Sequence, residues 1–219
     1  MNGPVGLVVF DCDGVLVDTE RYGVPLETRV ANRLGWPLTE AELVEKFMGT
    51  SVAEAGRIID ERLGPGSAER WFEEYHELFH AGLDRLTPVP GVVEALAAID
   101  LPTCVASSGT HEMMRTTLGR TGLWEHFEGR IYSASEVAHG KPAPDLFLHA
   151  ARSMGFAPGE CVVVEDSAYG VRAARAAGMR CLAYAGGLAP AASLDGPGTV
   201  LFEDMRELPR LIARIASAS

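Results

Sequence analysis

The chain has 219 residues, 47% of them hydrophobic, which is enough to bury a sizeable core in one domain or in a domain with an insertion and excludes global disorder. A net charge of -11 argues against an extended nucleic-acid surface, which needs clustered Lys and Arg against phosphate. No apolar run is long enough to span a bilayer, and no basic segment followed by a long apolar stretch opens the chain, so a soluble cytoplasmic protein is the expectation.

In chain order, the first predicted element is a strand over Val5 to Phe10, followed directly by Asp11-Cys12-Asp13-Gly14. The interval from Thr19 to about Leu86 reads as helices without a convincing strand. Thr39-Glu40-Ala41-Glu42 and Ser51-Val52-Ala53-Glu54 both fit the capping-box start of a helix. Trp71, Phe72, Tyr75, Leu78 and Phe79 form one apolar stripe, expected to be packing within this region rather than a dimer contact. Pro88, Pro90 and Gly91 mark a non-helical return, so hinges are expected near Asp18 to Glu20 and Leu86 to Pro90. Further strands are predicted over Thr103 to Ala106, Gly129 to Tyr132, Cys161 to Val164, Cys181 to Tyr184 and Val200 to Phe202. Helical patterns separate most of them, including Met113, Met114, Thr117 and Leu118, then Leu146, Phe147, Ala150, Ala151 and Met154. Strands alternating with helices indicate a parallel sheet covered on both faces, with any active site beyond the carboxyl ends of the strands. The Gly/Ala/Pro-rich stretch Gly186 to Gly198 is expected to be a surface loop.

Two carboxylates two residues apart at the end of a buried strand lose hydration and repel each other. A hard cation such as Mg²⁺ between them offsets both costs, which points to metal-assisted chemistry on an anion. Three more polar clusters follow predicted strands: Ser107-Ser108-Gly109-Thr110, Gly140-Lys141-Pro142, and Glu165-Asp166-Ser167 before Gly170. Lys141 is one of only two lysines, with Lys46, so its setting carries information. In a parallel sheet these strand ends converge on one edge with Asp11 and Asp13. Nucleophilic carboxylate, second carboxylate, hydroxyl, ammonium and acidic metal pair together fit phosphoryl transfer, where positioning and charge neutralisation carry most of the catalysis. Glu165 and Asp166 are also candidates to cap the following helix, and Asp18 to cap the first inserted helix or brace the hinge. Cys12, Cys104, Cys161 and Cys181 show no Cys-x-x-Cys spacing and read as buried, reduced thiols. His76 and His80 suit one helix face but lack a third ligand.

With these four motifs in order, the chain closely resembles the haloacid dehalogenase-like hydrolases, in the branch with a helical cap inserted after the first motif. Within it, the cap and tail look most like bacterial phosphatases of phosphorylated sugars and sugar acids such as 6-phosphogluconate. The resemblance implies an α/β fold: a Rossmann-like parallel-sheet core with helices on both faces, residues 1–18 and 87–219, and an inserted all-helical cap domain, residues 19–86. It implies Asp11 as the nucleophile that forms an aspartyl-phosphate, and Asp13 as the acid for the leaving oxygen and then the base for water. Ser107 and Lys141 would hold the transferring phosphoryl group, with backbone N–H groups near Asp13 and Ser108. Mg²⁺ would be held by Asp11, the backbone carbonyl of Asp13, Asp166 and Glu165, the last directly or through water. Glu20, Arg21, Thr50 and Ser51, with Glu54 and Arg57, are the polar cap residues expected to select the substrate, while cap closure excludes water.

The implied activity is a Mg²⁺-dependent phosphomonoesterase acting on a small phosphorylated metabolite, as a monomer or weak homodimer that binds neither nucleic acid nor membrane. Asp13 argues against dehalogenation, which needs no acid for a leaving oxygen. A β-phosphoglucomutase-type mutase is the alternative. Against it, the position of the mutase hinge His is Gly23 here, and the mutase cap-loop Lys and Arg correspond to Met48 and Val52. Loss of that Arg removes a clamp for a second phosphate. A phosphonatase needs a cap Lys as Schiff base, and Lys46, flanked by Glu45 and Phe47, does not match that place. A ligand sensor that has lost turnover is the reading from another class, and four intact motifs argue against it.

Overall fold

The apolar run before Asp11 forms strand β1 (Leu7–Phe10), buried along its whole length, in the computed structural model, which describes residues 4–48, 50 and 52–217. After β1 the chain turns at Gly14. It is then tied to its own return segment, where Asp18 N–H donates to the Thr87 carbonyl at 3.0 Å and Val89 N–H to that of Leu16 at 3.0 Å. By its internal contacts the chain divides into two units, Met1–Asp18 with Thr87–Ser219 and Thr19–Leu86.

The second unit is helical: α1 (Thr19–Arg33), α2 (Glu40–Phe47), α3 (Val52–Leu63) and α4 (Ser67–Ala81). Helix α2 starts with the capping box read from the sequence: Thr39 Oγ1 accepts from Glu42 N–H, and Glu42 Oε2 accepts from Thr39 N–H. The second expected capping box begins at Ser51, which lies outside the described residues. The α4 stripe turns Trp71 and Phe79 inward. Trp71, fully buried, meets the rings of Trp36 and Phe47 at centroid distances of 6.2 and 5.9 Å. Its indole N–H donates to Glu27 Oε1 on α1 at 2.9 Å, which satisfies the polar end of a buried aromatic.

The first unit continues with α5 (Val92–Ala97), β2 (Thr103–Ser107), α6 (His111–Arg120), α7 (Trp124–Phe127) and β3 (Ile131–Ser133). It ends with α8 (Asp145–Met154), β4 (Cys161–Glu165), α9 (Ala168–Ala176), β5 (Arg180–Tyr184), α10 (Ala191–Leu194), β6 (Thr199–Phe202) and α11 (Leu208–Ser217). The six strands form one parallel sheet in the order β3-β2-β1-β4-β5-β6. Alternation of side chains along β1 covers both faces. Leu7 and Val9 join a core with Leu146, Phe147 and Ala150 of α8 and Val171 and Ala174 of α9. Phe10 meets the ring of Phe127 on α7 at 6.0 Å. Strand order reverses direction at β1, so a crevice opens beyond the carboxyl ends of β1 and β4.

Two sequence expectations are corrected here. The stretch Gly186 to Gly198 is not all surface loop. It contains α10, because Leu194 finds a fully buried place among the core side chains. Glu165 and Asp166 do not cap α9. Ser167 does, its Oγ accepting from Gly170 N–H at 3.0 Å, since Glu165 still belongs to β4 and lies inside. The four cysteines are buried free thiols, as expected.

Burial raises the Glu27 carboxyl above its ordinary value, and the Trp71 hydrogen bond only partly offsets this. A folded-state pKa above the unfolded one means that Glu27 favours folding when protonated, and that this contribution is lost as pH rises through the folded value. Glu27→Gln keeps an acceptor for the indole and removes the charge. The variant should therefore melt a few degrees higher than the native chain at neutral pH, and the gain should vanish in acid, as read by circular dichroism across pH.

Candidate active site

Asp11 follows the last residue of β1, and Glu165 is the last residue of β4, its neighbour in the sheet. The register pairs Phe10 with Val164, so the two carboxylates emerge side by side at the switch point. Lys141, from the segment before α8, lies between them: its Nζ donates to Asp11 Oδ1 at 2.7 Å and to Glu165 Oε1 at 2.7 Å. All three side chains are withdrawn from water, at 4% exposure for Lys141, 10% for Asp11 and 0% for Glu165. The ammonium also stands 4.9 Å from the centroid of the Phe147 ring, an added attraction on its apolar side.

Burial pushes the Asp11 carboxyl up to about 7; Lys141 pulls it down, while Glu165 and Asp13 push it further up. Burial alone would favour neutral Lys141, but Asp11 and Glu165 outweigh it and hold the ammonium above the usual lysine range. Burial, with Asp13 and Asp11 on either side, drives the Cys12 thiol well up, so it stays protonated and is no nucleophile.

Glu165 is held at both oxygens. Besides Lys141 on Oε1, its Oε2 accepts from Ser167 N–H at 2.7 Å and Ser167 Oγ at 2.9 Å. Two glycines make room for the carboxylates. Gly14 adopts φ +76°, and a Cβ there would fall 1.9 Å from Asp166 Oδ2. A Cβ on Gly170 would fall 1.6 Å from Glu165 Oε1. Asp11, Glu165 and Asp166 each present a carboxylate oxygen, all within 4.8 Å of one another. This hard-oxygen set fits Mg²⁺, whose octahedral ligands lie at about 2.0–2.1 Å from the ion.

Ser107 closes β2 on the other side of β1, almost fully buried. Its Oγ accepts from Gly109 N–H at 3.0 Å and donates to Asp13 Oδ2 at a long 3.5 Å. Asp13, Asp11, Ser107, Lys141, Glu165 and Asp166 thus meet at one sheet edge. Ser108 follows Ser107 and is exposed. Glu20 and Arg21 lie in the first turns of α1, in the helical unit. There Thr50 Oγ1 donates to the Phe47 carbonyl at 2.8 Å, and Ser51 lies outside the described residues. Arg57 is engaged by Glu54 and Glu61, at 2.5 Å each, on exposed α3. Asp18 and Thr19 mark the crossing between the units. His76 and His80 place their Nε2 atoms 3.3 Å apart on exposed α4. Among the described residues, the acidic trio is the one cluster of three ligating side chains. Sequence reasoning did not single out Gly14 as a cradle for Asp166, nor Ser167 as a clamp on Glu165. Asp166 approaches Gly14 from a distant part of the chain, whereas Glu165 lies two residues before Ser167 and five before Gly170, and there it was the inward turn of its side chain at the end of β4 that spacing did not reveal.

A family model described as haloacid dehalogenase-like hydrolase matches residues 8–184. The 6-phosphogluconate phosphatase of Escherichia coli (strain K12) is 30% identical over 174 residues, which cover 78% of this chain and 79% of that one. Among solved structures, a conserved haloacid dehalogenase-like protein from Agrobacterium tumefaciens is 32% identical with a TM-score of 0.88, covering 97% of this chain and 99% of its own. A crystal structure titled as a putative β-phosphoglucomutase from Thermotoga maritima is 29% identical with a TM-score of 0.78, covering 96% and 100%.

Gly170 lies within α9, where helix propensity alone would favour Ala by about 1 kcal/mol. The approach of Glu165 reverses that preference: Gly170→Ala should lower stability by about 1–3 kcal/mol, the usual cost of overpacking. Urea unfolding monitored by circular dichroism reads the sign directly.

Proposed function

The chain belongs to the haloacid dehalogenase-like hydrolases, and from that membership and the site geometry we propose that it is a Mg²⁺-dependent phosphomonoesterase acting on a sugar phosphate or sugar-acid phosphate. The observation that carries this reading is Asp11, held at 2.7 Å by Lys141 and grouped with Glu165 and Asp166 at the switch point of the sheet. The similarity to a 6-phosphogluconate phosphatase supports the substrate class.

In this reading Asp11, Asp166 and the Asp13 carbonyl would hold Mg²⁺, with Glu165, which also accepts from Lys141 and Ser167, beside them. The bound ion supplies charge neutralisation for the phosphoryl group and favours ionised Asp11. Asp11 attacks phosphorus through a carboxylate oxygen, and the bond from phosphorus to the leaving oxygen breaks. Asp13 gives that oxygen a proton, so the alcohol leaves neutral and Asp11 carries the phosphoryl group. Asp13, now a carboxylate, takes a proton from the water that attacks phosphorus, which releases inorganic phosphate and restores Asp11. Lys141 and Ser107 donate to the phosphoryl oxygens through the transfer. Glu20, Arg21, Thr50 and Ser51 are assigned to substrate choice, as the family resemblance implies.

The mutase reading is disfavoured by Gly23, which offers no imidazole at the position read as the mutase hinge His. Gly23 is buried, and a Cβ there would come 2.5 Å from the Tyr75 hydroxyl. A side chain at that position would require the end of the Tyr75 side chain to move.

Phosphate release should be measured over 6-phosphogluconate, hexose and pentose phosphates, phosphoglycolate, glycerol phosphates and nucleotides. Turnover is expected with Mg²⁺ and a sugar or sugar-acid phosphate, should disappear with EDTA, and should fall by more than about 1000-fold in Asp11→Asn. No release from any substrate, with isomerisation of β-glucose 1-phosphate instead, would replace this reading by the mutase.

A further inference from the structure

We propose that Ser133, on the neighbouring strand β3, is a positioning residue that orients the Ser107 hydroxyl through Gly109; the inference rests on the phosphatase reading, which makes Ser107 a donor to the phosphoryl group. Ser107 and Ser133 are register partners at the carboxyl ends of β2 and β3. Ser133 is fully buried. Its Oγ donates to the Gly109 carbonyl at 2.7 Å. A carbonyl only accepts, so the Ser133 proton lies in that bond, and the other bonds of the hydroxyl agree with it. Ser133 caps the short 3-10 turn Ala134–Glu136, and its Oγ accepts from Ser135 N–H at 3.2 Å and Ser135 Oγ at 2.9 Å. A hydroxyl has two acceptor sites and one proton. With both acceptor sites occupied by Ser135, the proton is left for Gly109.

Gly109 is thereby held on both sides. Its carbonyl is anchored by Ser133, and its N–H donates to Ser107 Oγ at 3.0 Å. That second bond occupies a lone pair of Ser107 and leaves the Ser107 proton to point toward an anion or toward Asp13 Oδ2, 3.5 Å away. The Gly109 N–H stays on Ser107 Oγ only while the Gly109 peptides keep this orientation. A glycine is the residue least able to keep it unaided. The capping role of Ser133 accounts for its two accepted bonds and not for the donated one, and the donated bond is the link to the site.

The test is a double-mutant cycle on phosphate release from the best sugar phosphate. Ser133→Ala should lower kcat about ten- to a hundredfold, as expected for a misplaced catalytic donor, with KM changed far less. In a Ser107→Ala background the same substitution should cost less than about twofold, because the group it orients is gone. Ser133→Thr, which keeps the hydroxyl, should recover most of kcat. Melting curves run on every variant report folding, and Ser133→Cys, similar in size but a weak donor, replaces the Ala variant if that one fails to fold. Equal losses with and without Ser107, or no loss in the native background, would overturn the proposal and leave Ser133 a capping residue. Absence of turnover in the native chain with Mg²⁺ would overturn the phosphatase reading, and this inference with it.

Discussion

The site depends on one buried ammonium. Lys141 stands between Asp11 and Glu165 with water almost excluded from all three. Two neighbouring carboxylates at the ends of β1 and β4 would be costly to bury by themselves, and so would a lone ammonium. Together they are tolerable because each satisfies the other's charge and hydrogen-bonding needs. The arrangement makes distant parts of the chain interdependent. The β1–β4 register sets the carboxylates side by side, the segment before α8 brings the lysine, and Phe147 backs it with an aromatic face.

The remaining parts of the site follow from that concentration of charge. Four carboxylates, Asp11, Asp13, Glu165 and Asp166, gather at the edge where one ammonium bonds two of them, and burial, with Glu165 and Asp13 nearby, pushes the Asp11 carboxyl up to about 7. Lys141 bonds both Asp11 and Glu165, and Ser167 bonds Glu165, yet Asp11, Glu165 and Asp166 still keep oxygens close enough to share a cation. Such an arrangement is unfavourable in the absence of a positive ligand and receptive to one, which is the condition for metal-assisted chemistry on an anionic substrate. The same crowding explains Gly14 and Gly170: both carboxylates occupy the space a β-carbon would take.

Much of the fold was legible from local pattern. Central strands of a parallel sheet are buried on both faces and therefore read as continuous apolar runs, which is why β1, β2, β4 and β5 stand out in the sequence. The Thr39 capping box was legible because its two bonds join residues three apart. Pattern failed where burial decided the outcome. The stretch containing α10 has loop composition, yet Leu194 anchors a helical turn in the core. The cap of α9 fell to Ser167 because the two acidic residues before it are committed to the site edge.

The amino-acid sequence by itself determined the alternation of strands and helices, the helical interruption after the first motif, and the polar residues that follow the strands. Those are properties of short windows, governed by periodicity, propensity and spacing. Only the tertiary structure decided that Lys141 bonds both Asp11 and Glu165, across 130 and 24 residues of chain. It also decided that Ser133 reaches Gly109 from the next strand, and that Gly14 and Gly170 are glycines for the sake of carboxylates elsewhere. Except for Gly170 and Glu165, which are five residues apart and meet because β4 turns Glu165 inward, these are contacts between segments whose proximity is set by sheet order and register, and no local window of sequence contains both partners.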